Sequence, residues 1–362
     1  MSWRRFLAVM IKEVRQLRRD RITLAMILGV PVMQLVLFGY AINMNLRGLP
    51  AGIADEAGTQ ASRALVMDML ATGVITPALA AGTPQEVVDA LRRGRISIGV
   101  VVPQDFEARR FEGREAVQVL VDGSDTTVQA AAAQLAQVPL DSSAPGARRT
   151  GQVGVVSFFN PQRRSALFIV PGLVGVILTM TMVLFTAVAI VRERERGNME
   201  LLIATPVSRT ELMVGKIAPY VLIGLLQTSV VLLLGRWLFG VPIAGSLADV
   251  YGAAMLLIIA NLALGLLIST RAQSQFQAMQ MTFFVFLPSI LLSGFMFPFD
   301  GMPRAAQWLA EVLPLTHFLR LVRGVMLRGA DLLELWQDVL ALAAFIAVMM
   351  TAAILRFHKR LD

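Results

Sequence analysis

Apolar residues follow two rhythms along this chain. Residues 22–44 contain no charge over 23 positions, and further long apolar runs follow at 166–191, 217–240, 249–270, 276–299 and 338–355. Each is long enough, as a helix, to cross the roughly 30 Å hydrocarbon layer of a bilayer. Between 45 and 165 the rhythm shortens, and charges, Gly and Pro return. Strands are predicted near 50–54, 73–77, 96–102 and 116–121, alternating with helices at 59–71, 84–93, 103–111 and 125–137. Residues 139–151 read as a loop. The pattern predicts an α-helical polytopic membrane protein with six transmembrane helices and a small α/β domain between spans one and two.

Two further stretches depart from simple spans and loops. Residues 1–21 carry Trp3, Phe6, Met10, Val14 and Leu17 at helical spacing among basic residues, which predicts an amphipathic helix along the membrane surface. Residues 300–337 are too apolar for an ordinary loop. Leu309, Val312, Leu313, Phe318, Leu321, Val322 and Val325 recur near helical spacing around Pro314. A re-entrant hairpin of two short helices, dipping into the outer leaflet and returning, would satisfy that backbone.

Charge sets the orientation. Seven Lys/Arg precede residue 22, five lie at 192, 194, 196, 209 and 216, and the 356–362 tail is basic. By the positive-inside rule both termini and the 192–216 segment are cytoplasmic, and 45–165 and 300–337 lie outside. The net charge of +8 is thereby accounted for by span ends facing anionic lipid, not by nucleic acid. The chain has no cysteine and two isolated histidines, His317 and His358, which excludes a disulfide framework and gives no metal cluster.

The 192–216 segment is more structured than a connector. Residues 193–204 have helical character, and Arg192, Arg196 and Glu200 recur at i,i+4. Thr205-Pro206 breaks that helix, and Ser208-Arg209-Thr210-Glu211 is a capping box that starts the next. The spans carry no ionisable residue in their central parts, which argues against proton-coupled transport. A phosphate-binding loop is absent too, since Gly215-Lys216 lacks the preceding glycine pattern. Inside the spans, Gln34, Asn43, Gln227, Asn261 and Gln280 supply polarity, either bonding between helices or lining a substrate path. Pro288, Gly294, Pro298 and Pro314 interrupt the outer part of span five and the hairpin, and are candidate hinge or exit-gate positions.

These residues resemble a known family. Arg192, Glu193, Glu195, Gly197, Glu200, Leu202, Thr205, Pro206, Glu211, Gly215 and Lys216 follow the cytoplasmic-loop pattern of ABC-2-type exporter permeases, with Asn198 where Thr is usual, and Arg194 falls within the same ATPase-coupling segment. The stretches 160–172 and 288–298 and Pro314-Leu315-Thr316 are similar to that family as well. The resemblance implies that 192–216 docks into a groove of a cytoplasmic ABC ATPase subunit, which would bind the ATP and Mg, with no cofactor in this chain. It implies a non-enzymatic, multi-pass permease of the bacterial inner membrane that pairs with a second copy or close paralogue. The large domain after span one points to the multidrug-efflux-like branch, with drug-like or amphiphilic substrates and a periplasmic adaptor as a further partner. An alternative of the same layout is an ATP-driven mechanotransmitter, or a lipid or glycan exporter.

Overall fold

The computed structural model describes residues 48–123, 152–160, 164–196 and 209–356, together with 128, 129, 132, 135 and 136. The amphipathic 1–21 helix and span one, 22–44, lie outside the described residues.

The α/β domain is a five-stranded sheet in the order β2-β1-β3-β4-β5. Its strands are β1 (Leu49–Asp55), β2 (Ile75–Ala81), β3 (Ile98–Val102), β4 (Glu115–Asp122) and β5 (Gln152–Phe158). β1 pairs parallel with β2 and β3, β3 pairs antiparallel with β4, and β4 pairs parallel with β5. The helices are α1 (Gln60–Ala71), α2 (Pro84–Arg92) and α3 (Phe106–Glu112). Thr59 and Thr83 cap α1 and α2 by accepting from the amides of Ser62 and Glu86. β3 is buried along its whole length because helices cover both faces of the sheet at its centre. α1 and α3 close one face with Leu65, Met69 and Phe106, and α2 closes the other with Val87 and Leu91.

Two differences from the sequence reading appear here. The strand predicted at 73–77 runs instead over Ile75–Ala81, after Gly73 turns the chain with φ +71°. The sequence reading places no strand at β5, whose short apolar run is interrupted by Gly154. Only pairing with β4 identifies it as a strand.

Five helices among the described residues are long and apolar enough to cross a membrane. They are α4 (Ser165–Glu195), α5 (Arg209–Phe239), α6 (Leu247–Ser269), α7 (Gln275–Leu292) and α10 (Trp336–Arg356). Two shorter helices, α8 (Arg304–Glu311) and α9 (Pro314–Arg328), lie between α7 and α10. α6 touches α4, α5, α7, α9 and α10, and its buried positions lie on every side, as its all-round apolar sequence requires. α4 passes it so closely that a Cβ at Gly265 would sit 2.8 Å from the Val183 carbonyl oxygen. By contrast α5 leaves Leu222, Leu226, Leu233 and Trp237 exposed, and α10 leaves Leu340, Val348 and Leu355 exposed.

The span expected at 276–299 is shorter. α7 ends at Leu292, because Ser293 forms the cap and Gly294 adopts φ +86°, a left-handed conformation that ends a helix. Gly294 is therefore a terminator and not a hinge within the span, whereas Pro288 does lie inside the helix. The two hairpin helices also differ from each other. α9 is almost wholly buried in protein, while α8 turns Ala305, Trp308, Leu309 and Val312 outward.

The α/β domain is fastened to this hairpin region. Arg328 at the end of α9 reaches Asp122 at the end of β4 at 3.3 Å, with both side chains about nine-tenths buried. Arg92 of α2 pairs with Glu334 at 2.6 Å, and the Ser97 hydroxyl donates to Asp300. At the other junction, buried Asn160 accepts from the Arg164 amide at 2.9 Å and donates to the Arg164 carbonyl, fixing the entry into α4.

The α4–α6 crossing gives a direct test. Gly265→Ala places a methyl against a backbone carbonyl that cannot move cheaply, and overpacking of this kind costs about 1–3 kcal/mol. Gly252→Ala meets only the flexible end of Leu332, and gains helix preference. Thermal unfolding of the purified protein in detergent should show a lowered Tm for the first and an unchanged or raised Tm for the second.

Candidate coupling end and outer cavity

The polar end of α4 is where the sequence concentrated its motif. α4 continues without a break past the apolar run to Glu195, and the Arg196 amide closes the last turn on the Arg192 carbonyl. The segment expected to begin a separate helix at 193 is thus, in its first turn, the end of a span.

Two of its side chains grip the turn between α6 and α7. Arg194 donates to the carbonyls of Ser269, at 3.2 Å, and of Ala272. The Ser269 carbonyl is among the acceptors that the last turn of a helix leaves unpaired, Ala272 lies in the connecting turn, and a cation there also meets the negative end of the helix dipole. Glu195 accepts from the Gln275 amide at 2.9 Å and from its side-chain amide at 2.5 Å, so a carboxylate caps the start of α7. Arg192 lies beside Tyr220 and Met279 in a shallow apolar groove on α4, between α5 and α7. Glu193 lies in the same turn. Gly197, Glu200, Thr205 and Pro206 fall outside the described residues. Glu211, Gly215 and Lys216 lie in the first turns of α5.

The polar groups inside the spans bond to neighbouring helices. The Thr181 hydroxyl of α4 donates to Gln227 of α5 at 2.9 Å, and Asn261 of α6, fully buried, donates to the Thr179 hydroxyl at 3.2 Å. Gln280 is half-buried on α7. Gln34 and Asn43 lie outside the described residues.

The far end of α4 meets the hairpin and a cavity of about 830 Å³. Gly175 lets Phe318 and Leu315 of α9 close onto α4, and Phe168 stacks under the Arg323 guanidinium at 4.1 Å. The cavity lies between the α/β domain, α9 and the start of α10. Its walls mix arginines, including Arg93, Arg95 and Arg320, with the acids Asp122, Asp300, Glu311, Glu334 and Asp338. Of the candidate gate residues, Gly294 lines it, and its carbonyl accepts from both terminal nitrogens of Arg323 at 3.3 Å. Pro298 caps a 3₁₀ turn at Phe299–Gly301, and Pro314 opens α9 at its first position, where a missing amide costs nothing.

One knot of charge beside the cavity was not anticipated. His317 of α9 lies 2.8 Å from Asp338 of α10 through Nδ1, and 2.8 Å from the Glu311 carbonyl at the end of α8 through Nε2. Arg320 donates to both oxygens of Glu311, at 2.5 and 3.1 Å, reaches Asp338 at 3.4 Å, and covers the Phe299 ring at 4.5 Å. The sequence held one signal of it. Arg320, Arg323 and Arg328 run against the positive-inside expectation for 300–337, and carboxylates and a ring meet them here.

The Glu195 clamp predicts a local change. Glu195→Ala removes the acceptor of the Gln275 amide, so hydrogen exchange there should quicken roughly fivefold while exchange within α6 is unchanged. Mass spectrometry of exchanged peptides covering 270–280 measures it.

A family model described as ABC-2 family transporter protein matches residues 21–355, across both the α/β domain and the helices. Curated relatives in Escherichia coli K12 span the same length. The "Probable multidrug ABC transporter permease YbhS" is 33% identical over 100% of this chain and 99% of that protein. The "Probable multidrug ABC transporter permease YbhR" is 28% identical over 96% of this chain and 97% of its own. The "Inner membrane transport permease YhhJ" is 28% identical over 96% of each. The relatives are named as permeases, in keeping with a sequence that carries no phosphate-binding loop. With its helical bundle, its motif-bearing polar helix end and a match over nearly its whole length, this chain belongs to the ABC-2 family of transporter membrane proteins.

Proposed function

We propose that this chain is the membrane-spanning subunit of an ATP-driven exporter, working as a pair and driven by a separate ATPase that docks on residues 192–216. One observation carries the reading: α4 is a single 31-residue helix, roughly 46 Å long, with a polar grip at each end. At one end Arg194 and Glu195 hold the α6–α7 turn, and at the other Gly175 and Phe168 hold α9 beside the cavity. A push on the motif-bearing end then moves α4, α6 and α7 together, and α9 with them. Packed helices transmit such displacements because close-packed interiors are stiff.

In this reading the α/β domain and the hairpin lie outside and the Arg192–Lys216 end lies in the cytoplasm. The outward stripe of Trp308, Leu309 and Val312 on α8, between two spans, fits the boundary of headgroups and acyl chains. The names of the E. coli relatives favour drug-like, amphiphilic cargo. The exposed apolar faces of α5 and α10 leave ample surface for lipid and a second copy. A mechanotransmitter is the second reading, and the buried Arg328–Asp122 tie favours it, because it couples the α/β domain to the hairpin as one piece.

The cysteine-free sequence makes the topology testable. Met67→Cys, exposed on α1, should react with an impermeant thiol reagent in intact cells, and Ser208→Cys should not. The reverse pattern refutes the orientation. For the docking, Glu200→Arg should weaken co-purification of the ATPase by about two orders of magnitude, the effect of removing one partner of a desolvated charge pair. Monodispersity of the permease itself should be unchanged. Retention of the ATPase at wild-type affinity would remove 192–216 from the contact.

A further inference from the structure

We infer that His317 is a proton-operated joint holding α8, α9 and α10 together at the rim of the cavity. Both ring nitrogens face oxygen atoms that can only accept. The Glu311 backbone carbonyl has no hydrogen to give, and the Asp338 carboxylate oxygen that meets Nδ1 also accepts from Arg320. A neutral imidazole carries one N–H and can satisfy one of these contacts, leaving the other as a lone pair facing a lone pair. The imidazolium satisfies both. The arrangement therefore requires the bound proton, and each of the two bonds joins α9 to a different helix.

The charges that face the ring are few. From α8 comes the Glu311 carboxylate, 3.7 Å from Nε2; from α10 comes Asp338; from its own helix comes Arg320. Asp300, Arg323 and Glu334 line the cavity beyond. Burial by itself would push the imidazole pKa down, but the bonds to Asp338 and the Glu311 carbonyl outweigh it and hold it above the ordinary 6.5. The sign follows from linkage. A group whose pKa is raised on folding contributes fully below its unfolded value, and the contribution is lost as pH rises through the folded value. The joint is thus closed below the ordinary imidazole value, and loosens as the pH rises through the raised one. His317 touches the cavity rim, so water there can supply and remove the proton.

That the sensed compartment is the outer one rests on the proposed topology. The joint itself does not, and the experiment separates the two, because a nanodisc bathes both faces in the same buffer. Leu309→Cys on α8 and Leu340→Cys on α10, both exposed, receive spin labels in the full-length, otherwise cysteine-free protein. Pulsed electron resonance then reads their separation from about pH 5.5 to about pH 9, a range that extends well above the ordinary imidazole value. The distribution should be narrow at low pH and broaden as the pH rises. In Asp338→Asn, which keeps an acceptor but removes the charge, the midpoint should fall by about one unit or more. In His317→Asn the pH dependence should vanish. A distribution that does not change with pH, or a midpoint unmoved in Asp338→Asn, overturns the proposal. The Asp338→Asn comparison decides it even if His317→Asn fails to fold.

Discussion

The crossing of α4 and α6 is the contact from which the rest of the helical part is arranged. Lipid gives no hydrophobic reason for one apolar helix to prefer another over acyl chains, so close packing has to hold them. Gly265 lets the two backbones meet at a distance no side chain would permit, and the Asn261–Thr179 bond lies one turn away on the same seam. With α4 and α6 fixed, α9 has a floor to lie on, and α5, α7 and α10 fill the remaining sides. Those outer helices keep large exposed apolar faces because their neighbours are lipid or other protein.

Charged side chains gather toward the two ends of this bundle, and the physics of each end is different. At the motif-bearing end, a guanidinium and a carboxylate complete helix termini, so the turn between α6 and α7 is tied to α4 by its own unpaired backbone groups. At the cavity end, charges pair with each other across elements that are distant in sequence. The buried Arg328–Asp122 pair joins residues 206 apart, and Arg92–Glu334 joins residues 242 apart. Removing one member of a buried pair typically costs about 3–5 kcal/mol, since the other is left uncompensated. The α/β domain is therefore a committed part of the cavity wall. A motion of the hairpin carries it along.

The ionisable groups of the described spans lie toward their ends, as Arg194 and Glu195 do on α4 and Asp338 does on α10. The two short helices α8 and α9 are not themselves spans, and carboxylates lie close to both. Arginines there are tolerated because each meets a carboxylate, a carbonyl or a ring.

The sequence by itself determined the five spans among the described residues, the α/β insertion and most of its strands, because burial in lipid and period-two or period-3.6 patterning are local properties. It also located the motif at 192–216 and the helix boundaries at Gly294 and Pro314, whereas Pro288 lies within an unbroken helix. The tertiary structure alone decided the rest. Gly294 reads equally as hinge or terminator until its φ of +86° is known. β5 is a strand because β4 lies beside it, and nothing within its seven residues distinguishes it from the start of a span. Arg194 and Glu195 look like surface charges until the α6–α7 turn is brought to them. His317, Asp338 and Glu311 come from three different helices, and a lone histidine in an apolar stretch predicts nothing about its neighbours. Pairing of this kind depends on where packed helices place their ends, and that distance is a property of the fold and not of any one segment.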